Sequence, residues 1–240
     1  MKKPDYQKEL DELIAEISKA GQPNKLFLHS CCAPCSSHCL TYLSPFFDIT
    51  VFYYNPNITE IAEYKKRLAE QERLLNELAL PGKVTLQAGE YEPQCFFDMA
   101  QGLENLPEGA ERCHRCYELR LRETARKALE NKADFFGTTL SVSPYKNATA
   151  LYEIGKKIEA EMGVAFLPAD FKKRGGYQHS IELSRQYDLY RQPYCGCVFS
   201  YEQFKAKINC EEKKILEIIC FDKEIVILKK EVSALGAENV

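Results

Sequence analysis

Residues 25–57 read KLFLHSCCAPCSSHCLTYLSPFFDITVFYYNPN, and the spacing within this stretch decides the fold class. Lys25–Ser30 and Ile49–Asn55 are short apolar runs, β-prone and closed by Cys-Cys-Ala-Pro and Asn-Pro breaks, so both read as strands. Working outward, runs of the same kind recur at Val84–Ala88, Phe135–Thr139 and Val164–Leu167. Every gap except the first is long enough for a substantial helix, and helical periodicity is clearest over Glu60–Leu78, Cys113–Asn131 and Ala148–Met162. Strands separated by helices mean βαβ units, so the expected fold is α/β, a mainly parallel sheet with helices on both faces. Tyr6, Leu10, Leu13, Ile14 and Ile17 keep a helical spacing, so residues 1–24 are expected to form a helix packed on this domain. The domain itself is expected over 25–200. Residues 201–240 read as a small C-terminal extension of unassigned role, a helix with an edge strand at Ile225–Leu228.

The chain has 240 residues, 45% hydrophobic and 28% charged, enough for one substantial core and short for two ordinary domains. No apolar run approaches the roughly 18 residues of a membrane span, and Met1 to Lys19 is charged throughout. Neither a membrane partner nor export is therefore expected, and the compartment is expected to be the cytoplasm. Eleven cysteines are unusual there, and the odd count means that pairing cannot be complete. In a reducing compartment, closely spaced cysteines are metal ligands or catalytic thiols rather than staples. The net charge of −3 argues against coating nucleic acid through a global basic field. Local charge differs: Arg112–Lys132 holds seven Lys/Arg against three Glu, and Lys172–Arg191 holds five against Glu182 and Asp188. Taken alone, both are solvated helix faces. Their attachment to cysteine motifs argues for more.

In open parallel sheets the binding crevice lies at the carboxyl ends of the strands. The informative residues fall there: Ser30 to Cys35, Tyr53 to Asn57, Thr138 to Lys146, and Pro168 to Phe171 before the basic Lys172-Lys173-Arg174. Cys113 and Cys116 form a C-x-x-C at a helix start, where free backbone N–H groups and the helix dipole favour thiolates and sulfides. Alone, this motif fits zinc, iron–sulfur, a redox pair or chance. Cys31 and Cys32 add two thiols, but adjacent residues at a strand end point apart unless the chain turns, which Ala33-Pro34 permits. A bulky cubane accepts adjacent cysteines more readily than a compact tetrahedral zinc, which favours [4Fe-4S]. Cys195-Gly196-Cys197 suits a strained, labile disulfide, with two further metal ligands as the alternative. Cys35 is either an extra ligand for a second metal ion or a small buried residue. Cys39, Cys95, Cys210 and Cys220 read as packing. His29, His38, His114 and His179 lack metalloprotease spacing, although His29 and His114 adjoin cluster cysteines. No G-x-G-x-x-G or G-x-x-x-x-G-K-[ST] is present, so nicotinamide, flavin and P-loop readings lack support.

HSCCAPCS (29–36), YNPNI (54–58), CHRCY (113–117) with Arg120-Leu121, Thr138–Asn147 and, most fully, ADFKKRGGYQHSIELSRQYDLYRQPYCGCVFS (169–200) closely resemble the QueH family of cobalamin-independent epoxyqueuosine reductases. The resemblance covers roughly Lys25 to Ser200. It implies a fold like the ATP-pyrophosphatase-type HUP domain, and reduction of the epoxide of epoxyqueuosine to the alkene at the tRNA wobble position. Carried over residue by residue, it implies a [4Fe-4S] cluster on Cys31, Cys32, Cys113 and Cys116, and a redox-active pair at Cys195 and Cys197.

Such a reduction needs two electrons, two protons and an exit for oxygen as water. It also implies an external electron donor and leaves room for an additional iron ion held partly by Cys35. Candidate proton donors are His29, Tyr54, Asp170 and Tyr194. An acidic protein binding an anticodon loop needs only a local basic surface, for which Arg115, Arg120, Lys172, Lys173, Arg174, Arg185 and Arg191 are the candidates. Tyr53, Tyr145 and Tyr177 are either base-stacking or packing residues. The competing readings are a zinc-bearing, ATP-dependent tRNA-modifying enzyme such as a thiolase, against which the missing phosphate loop counts, and a non-catalytic metal or thiol electron relay.

Overall fold

The computed structural model describes residues 4–21 and 23–221. Five strands, β1 (Asn24–His29), β2 (Phe47–Tyr53), β3 (Val84–Ala88), β4 (Phe135–Thr138) and β5 (Ala165–Phe166), form one sheet in the order β3-β2-β1-β4-β5. All four pairings are parallel, with Leu26 opposite Ile49 on one side and Phe135 on the other. The helices are α1 (Tyr6–Ile17), α2 (Ala33–Leu43), α3 (Ile61–Glu77), α4 (Pro93–Ala100), α5 (Glu111–Glu130), α6 (Ala148–Met162), α7 (Gly176–Gln186) and α8 (Val198–Phe221). The expected α/β class is observed, and the three clearest helices lie within two residues of their expected ends.

Pleating divides the core. Leu26 and Leu28 of β1, with Ile49 and Val51 of β2, pack beneath Leu10, Leu40 and Leu43. Phe27 and Phe52, on the opposite face, meet Tyr117, Leu121, Ala125 and Leu151. Helix ends follow local chemistry. Asn147 caps α6 by accepting from the Thr149 and Ala150 N–H groups at 3.0 and 3.2 Å. Gly163, at φ +80°, then ends it.

The first gap, expected to be too short for a substantial helix, holds the 11-residue α2. Its buried residues are Ala33, Pro34, Ser36, Ser37, Cys39, Leu40 and Leu43, so polar serines share the buried side while Tyr42 is only partly buried, and no clean apolar stripe marks the helix. Because β1 is flanked by β2 and β4, the chain reverses its direction of winding there. The crevice at the carboxyl ends of β1 and β4 is the topological switch point.

The chain divides into two compact units, residues 1–198 and 199–240. All of α8 beyond Val198 falls in the second, and the expected strand at Ile225–Leu228 lies outside the described residues. No helix among the described residues is long and apolar enough to cross a membrane.

Candidate metal and thiol centre

β1 delivers Ser30 and Cys31 to the switch point, and Cys32, extended at φ −175°, is the N-cap of α2. The chain turns at Ala33-Pro34, so the adjacent sulfurs do not diverge: Cys31 Sγ and Cys32 Sγ are 3.7 Å apart. Cys35, in the first turn of α2, completes a group whose sulfurs all lie within 4.8 Å of one another and could hold a metal ion. Cys31 and Cys35 donate to Cys32. These contacts, with Gln192 and Arg67, hold the Cys32 thiol well below its usual range. The same donation, with burial, pushes Cys31 up to about 12 and Cys35 upward. A cation would take the place of those donated protons. The loop after β2 braces the turn, since the Asn55 amide donates to Ser30 O at 2.9 Å. Ser36 Oγ lies 2.6 Å from Gln71 Oε1 and 2.9 Å from Cys32 O, and its one proton serves one of the two acceptors at a time.

Cys113 lies in the first turn of α5 and accepts from the Gly109 N–H at 3.2 Å. Cys116, one turn further on, is 6% exposed. Burial pushes its thiol up to about 12, with Arg120 opposing and Cys195, Cys197 and Cys113 adding to the rise. Arg120, expected on an RNA-facing surface, is instead 1% exposed. It lies one helical turn beyond Cys116 on the face that meets the sheet, donates to Cys116 O at 3.2 Å and directs its charge at Cys116, Cys195 and Cys31.

Cys195-Gly196-Cys197 closes the centre. Gly196 has φ +113°, and a Cβ there would lie 2.9 Å from Ile58 Cγ1 and 3.1 Å from Arg67 Nη1. The Arg67 guanidinium, 1% exposed on α3, donates to Cys195 O at 3.0 Å and is paired with Glu63 at 2.7 Å. Lys146 Nζ lies 3.5 Å from Cys195 Sγ and 2.9 Å from Glu108 Oε1. Burial opposes the charge on Lys146, yet Cys195, Tyr117 and Glu108 raise its pKa. Sequence reasoning missed Arg67, Lys146, Tyr117 and Gln192 as site residues. Lys146, Tyr117 and Gln192 lay within quoted motifs, but Arg67 is indistinguishable in sequence from the solvated charges around it on α3.

The expected proton donors separate. His29 is fully buried; its Nε2–H donates to Tyr54 O at 3.2 Å and its Nδ1 accepts from the Thr138 hydroxyl at 3.0 Å. Burial, with Arg120 second, lowers it to about 3. Both ring nitrogens are thus engaged, and the ring braces the ends of β1, β2 and β4 against one another. Tyr54 stacks on Phe52, and the charges acting on its hydroxyl are Cys95, Glu92, Glu123 and Arg126, which belong to α4, its N-cap and α5, not to the thiol centre. Asp170 Oδ1 lies 2.9 Å from Lys172 Nζ, and the Tyr194 ring lies against the Arg67 guanidinium, 5.5 Å from its centroid.

Among the remaining basic residues, Lys173 pairs with Asp5 and Arg174 with Asp11, both acidic residues of the α1 region, while Arg115 pairs with Glu111. Arg185 is exposed. Arg191, also exposed, lines a cleft of about 130 Å³ together with Cys32, Cys35, Tyr145, Tyr177 and Gln192. Tyr145, 78% exposed, stands at that cleft. Tyr53 is not available for stacking: it is fully buried and its hydroxyl donates to Tyr64 O. Cys39 is in the core and Cys95 is half-buried on α4. The side chains of Cys210 and Cys220 lie outside the described residues.

Residues 26–203 match the family model described as "Epoxyqueuosine reductase QueH". A protein of that name from Staphylococcus epidermidis is 42% identical over 202 residues, 82% of this chain and 85% of the relative. One from Staphylococcus aureus is 38% identical over 223 residues, 90% and 92% of the two chains, and one from Thermotoga maritima is 37% identical over 185 residues, 76% and 93%. With the match spanning the sheet, the three cysteine segments and the cleft, the chain belongs to the epoxyqueuosine reductase QueH family.

Proposed function

We propose that this chain, in the cytoplasm, reduces the epoxide of epoxyqueuosine to the alkene of queuosine at the tRNA wobble position. In this reading Cys31, Cys32, Cys113 and Cys116 hold a [4Fe-4S] cluster and Cys195 and Cys197 are a redox pair. The observation that carries it is geometric: Cys31, Cys32 and Cys35 gather within 4.8 Å at the switch point, while the buried cations Arg67, Arg120 and Lys146 bond to Cys195 O, Cys116 O and Cys195 Sγ. The donor set fits an anionic cluster. The buried cations Arg67, Arg120 and Lys146 outnumber the paired carboxylates Glu63 and Glu108, and Arg120 Nη2 is buried with no protein partner. Such a cluster, held by these four cysteines, would supply electrons one at a time, and an additional iron held partly by Cys35 would supply Lewis acidity.

The protein's own residues supply the rest. Cys195 and Cys197 release two electrons and two protons on forming one S–S bond. The epoxide takes up two electrons and two protons as its oxygen leaves as water and its carbons become an alkene. An external electron donor then reduces the disulfide. Tyr145, Tyr177 and Arg191 at the cleft receive the nucleoside and its phosphates.

The test is anaerobic reconstitution followed by nucleoside analysis of an anticodon stem-loop carrying epoxyqueuosine. About four irons per chain with matching sulfide, and conversion with a chemical reductant, are expected. A stoichiometric zinc site without sulfide, or failure to convert the stem-loop, refutes the reading.

A further inference from the structure

Lys146 precedes the N-cap of α6 by one residue, and its side chain is 8% exposed. An ammonium so buried is costly unless paired, and its partners are unequal. Glu108, at 2.9 Å, is 38% exposed, whereas the second partner is a sulfur, Cys195 Sγ at 3.5 Å. The neighbouring cations are engaged elsewhere. Arg67 donates to the carbonyls of Cys195 and Tyr194 and to Glu63, and Arg120 donates to Cys116 O. The hydrogen bond to the Cys195 sulfur itself comes from Lys146. The two sulfurs of the pair also differ in access, Cys195 being half-buried and Cys197 8% exposed.

We infer that Lys146 is a positioning residue that stabilises the reduced form of Cys195, makes the Cys195–Cys197 disulfide easier to reduce, and assigns Cys195 as the sulfur that exchanges with an external thiol. The inference rests on the proposed redox role of this pair. A disulfide sulfur is neutral and a weak acceptor, whereas a thiolate accepts a charge-assisted bond, so the Lys146 ammonium favours the reduced pair by holding Cys195 as a thiolate. In exchange with glutathione, two molecules of glutathione supply two electrons and two protons. The products are the Cys197 thiol, the Cys195 thiolate paired with the Lys146 ammonium, one oxidised glutathione and one proton released to solvent. The charge-assisted bond favours this direction by about tenfold.

The experiment equilibrates cluster-loaded full-length protein in glutathione redox buffers, traps thiols by alkylation and quantifies the 195–197 linkage by mass spectrometry. Lys146→Met is expected to lower the equilibrium constant for reduction about tenfold, and Lys146→Arg to restore most of it. Glu108→Gln, which frees the ammonium from its competing anion at a more exposed position, is expected to raise it. In Cys197→Ser, glutathione is expected to be captured on Cys195. An unchanged constant in both Lys146→Met and Glu108→Gln overturns the inference while leaving the redox pair standing. A wild-type protein that forms no 195–197 disulfide in any buffer overturns the pair, and this inference with it.

Discussion

Acidifying the protein from pH 7 to pH 5 should cost about 1 kcal/mol of stability through His38 alone. His38 Nδ1 of α2 lies 3.0 Å from His179 Nδ1 of α7, so only one proton fits between them. The His38 ring also meets Phe171 edge-on, and the Gly176 backbone closes over its Nε2. Burial, with His179 second, lowers His38 to about 4 from its ordinary 6.5. Above pH 6.5 the imidazole is neutral in folded and unfolded chains alike. Between 6.5 and about 4 the unfolded chain takes up a proton that the folded chain refuses, so stability falls as pH falls. Full burial would make this about 2 kcal/mol at pH 5, at about 1.4 kcal/mol per pH unit. The ring is only half-buried, and solvent screening brings the figure to about 1 kcal/mol. Urea unfolding of wild type and His38→Gln at both pH values isolates the contribution of the His38–His179 contact, because groups away from it, His29 included, are common to both proteins. An equal loss of stability in the two proteins refutes the reasoning. Since α2 and α7 contribute Cys35 and Tyr177 to the cleft, acid should also loosen the walls of the site.

Gly176→Ala should cost about 2 kcal/mol in the same assay, because its Cβ would lie 1.9 Å from the Phe171 carbonyl oxygen, a backbone atom that cannot rotate away. Tyr145→Ala should leave unfolding unchanged, given 78% exposure, yet weaken stem-loop binding by about 1–2 kcal/mol in fluorescence anisotropy. Equal affinities would remove Tyr145 from the binding surface. Arg120→Met should separate two states. Iron-free protein should gain about 1–3 kcal/mol, because the buried Nη2 has no protein partner, while iron retained per chain after gel filtration should fall. A variant retaining full iron would refute the role assigned to this cation.

The sheet was legible because its strands announce themselves locally. Val84–Ala88 is both the expected and the observed β3, and Ala148–Met162 both the expected and the observed α6. α2 was not legible, because its buried side includes Ser36 and Ser37 and so carries no clean apolar stripe. Cys35 was legible only as an open alternative. Its proximity to Cys31 and Cys32 depends on the turn angle at Ala33-Pro34, which residue order permits but does not determine.

Residue order by itself determined which thiols are closely spaced, that the chain alternates strand and helix, and the family resemblance. Tertiary structure alone decided what surrounds those thiols. Arg120 and Arg115 read alike as basic residues five positions apart on one helix, yet one is enclosed against Cys116 and the other pairs with Glu111 in solvent. Arg67 and Lys146 come from segments some 80 residues apart and meet only around Cys195. The reason is electrostatic: a charge takes its meaning from the medium and the partner around it, and both are products of folding that no local spacing encodes.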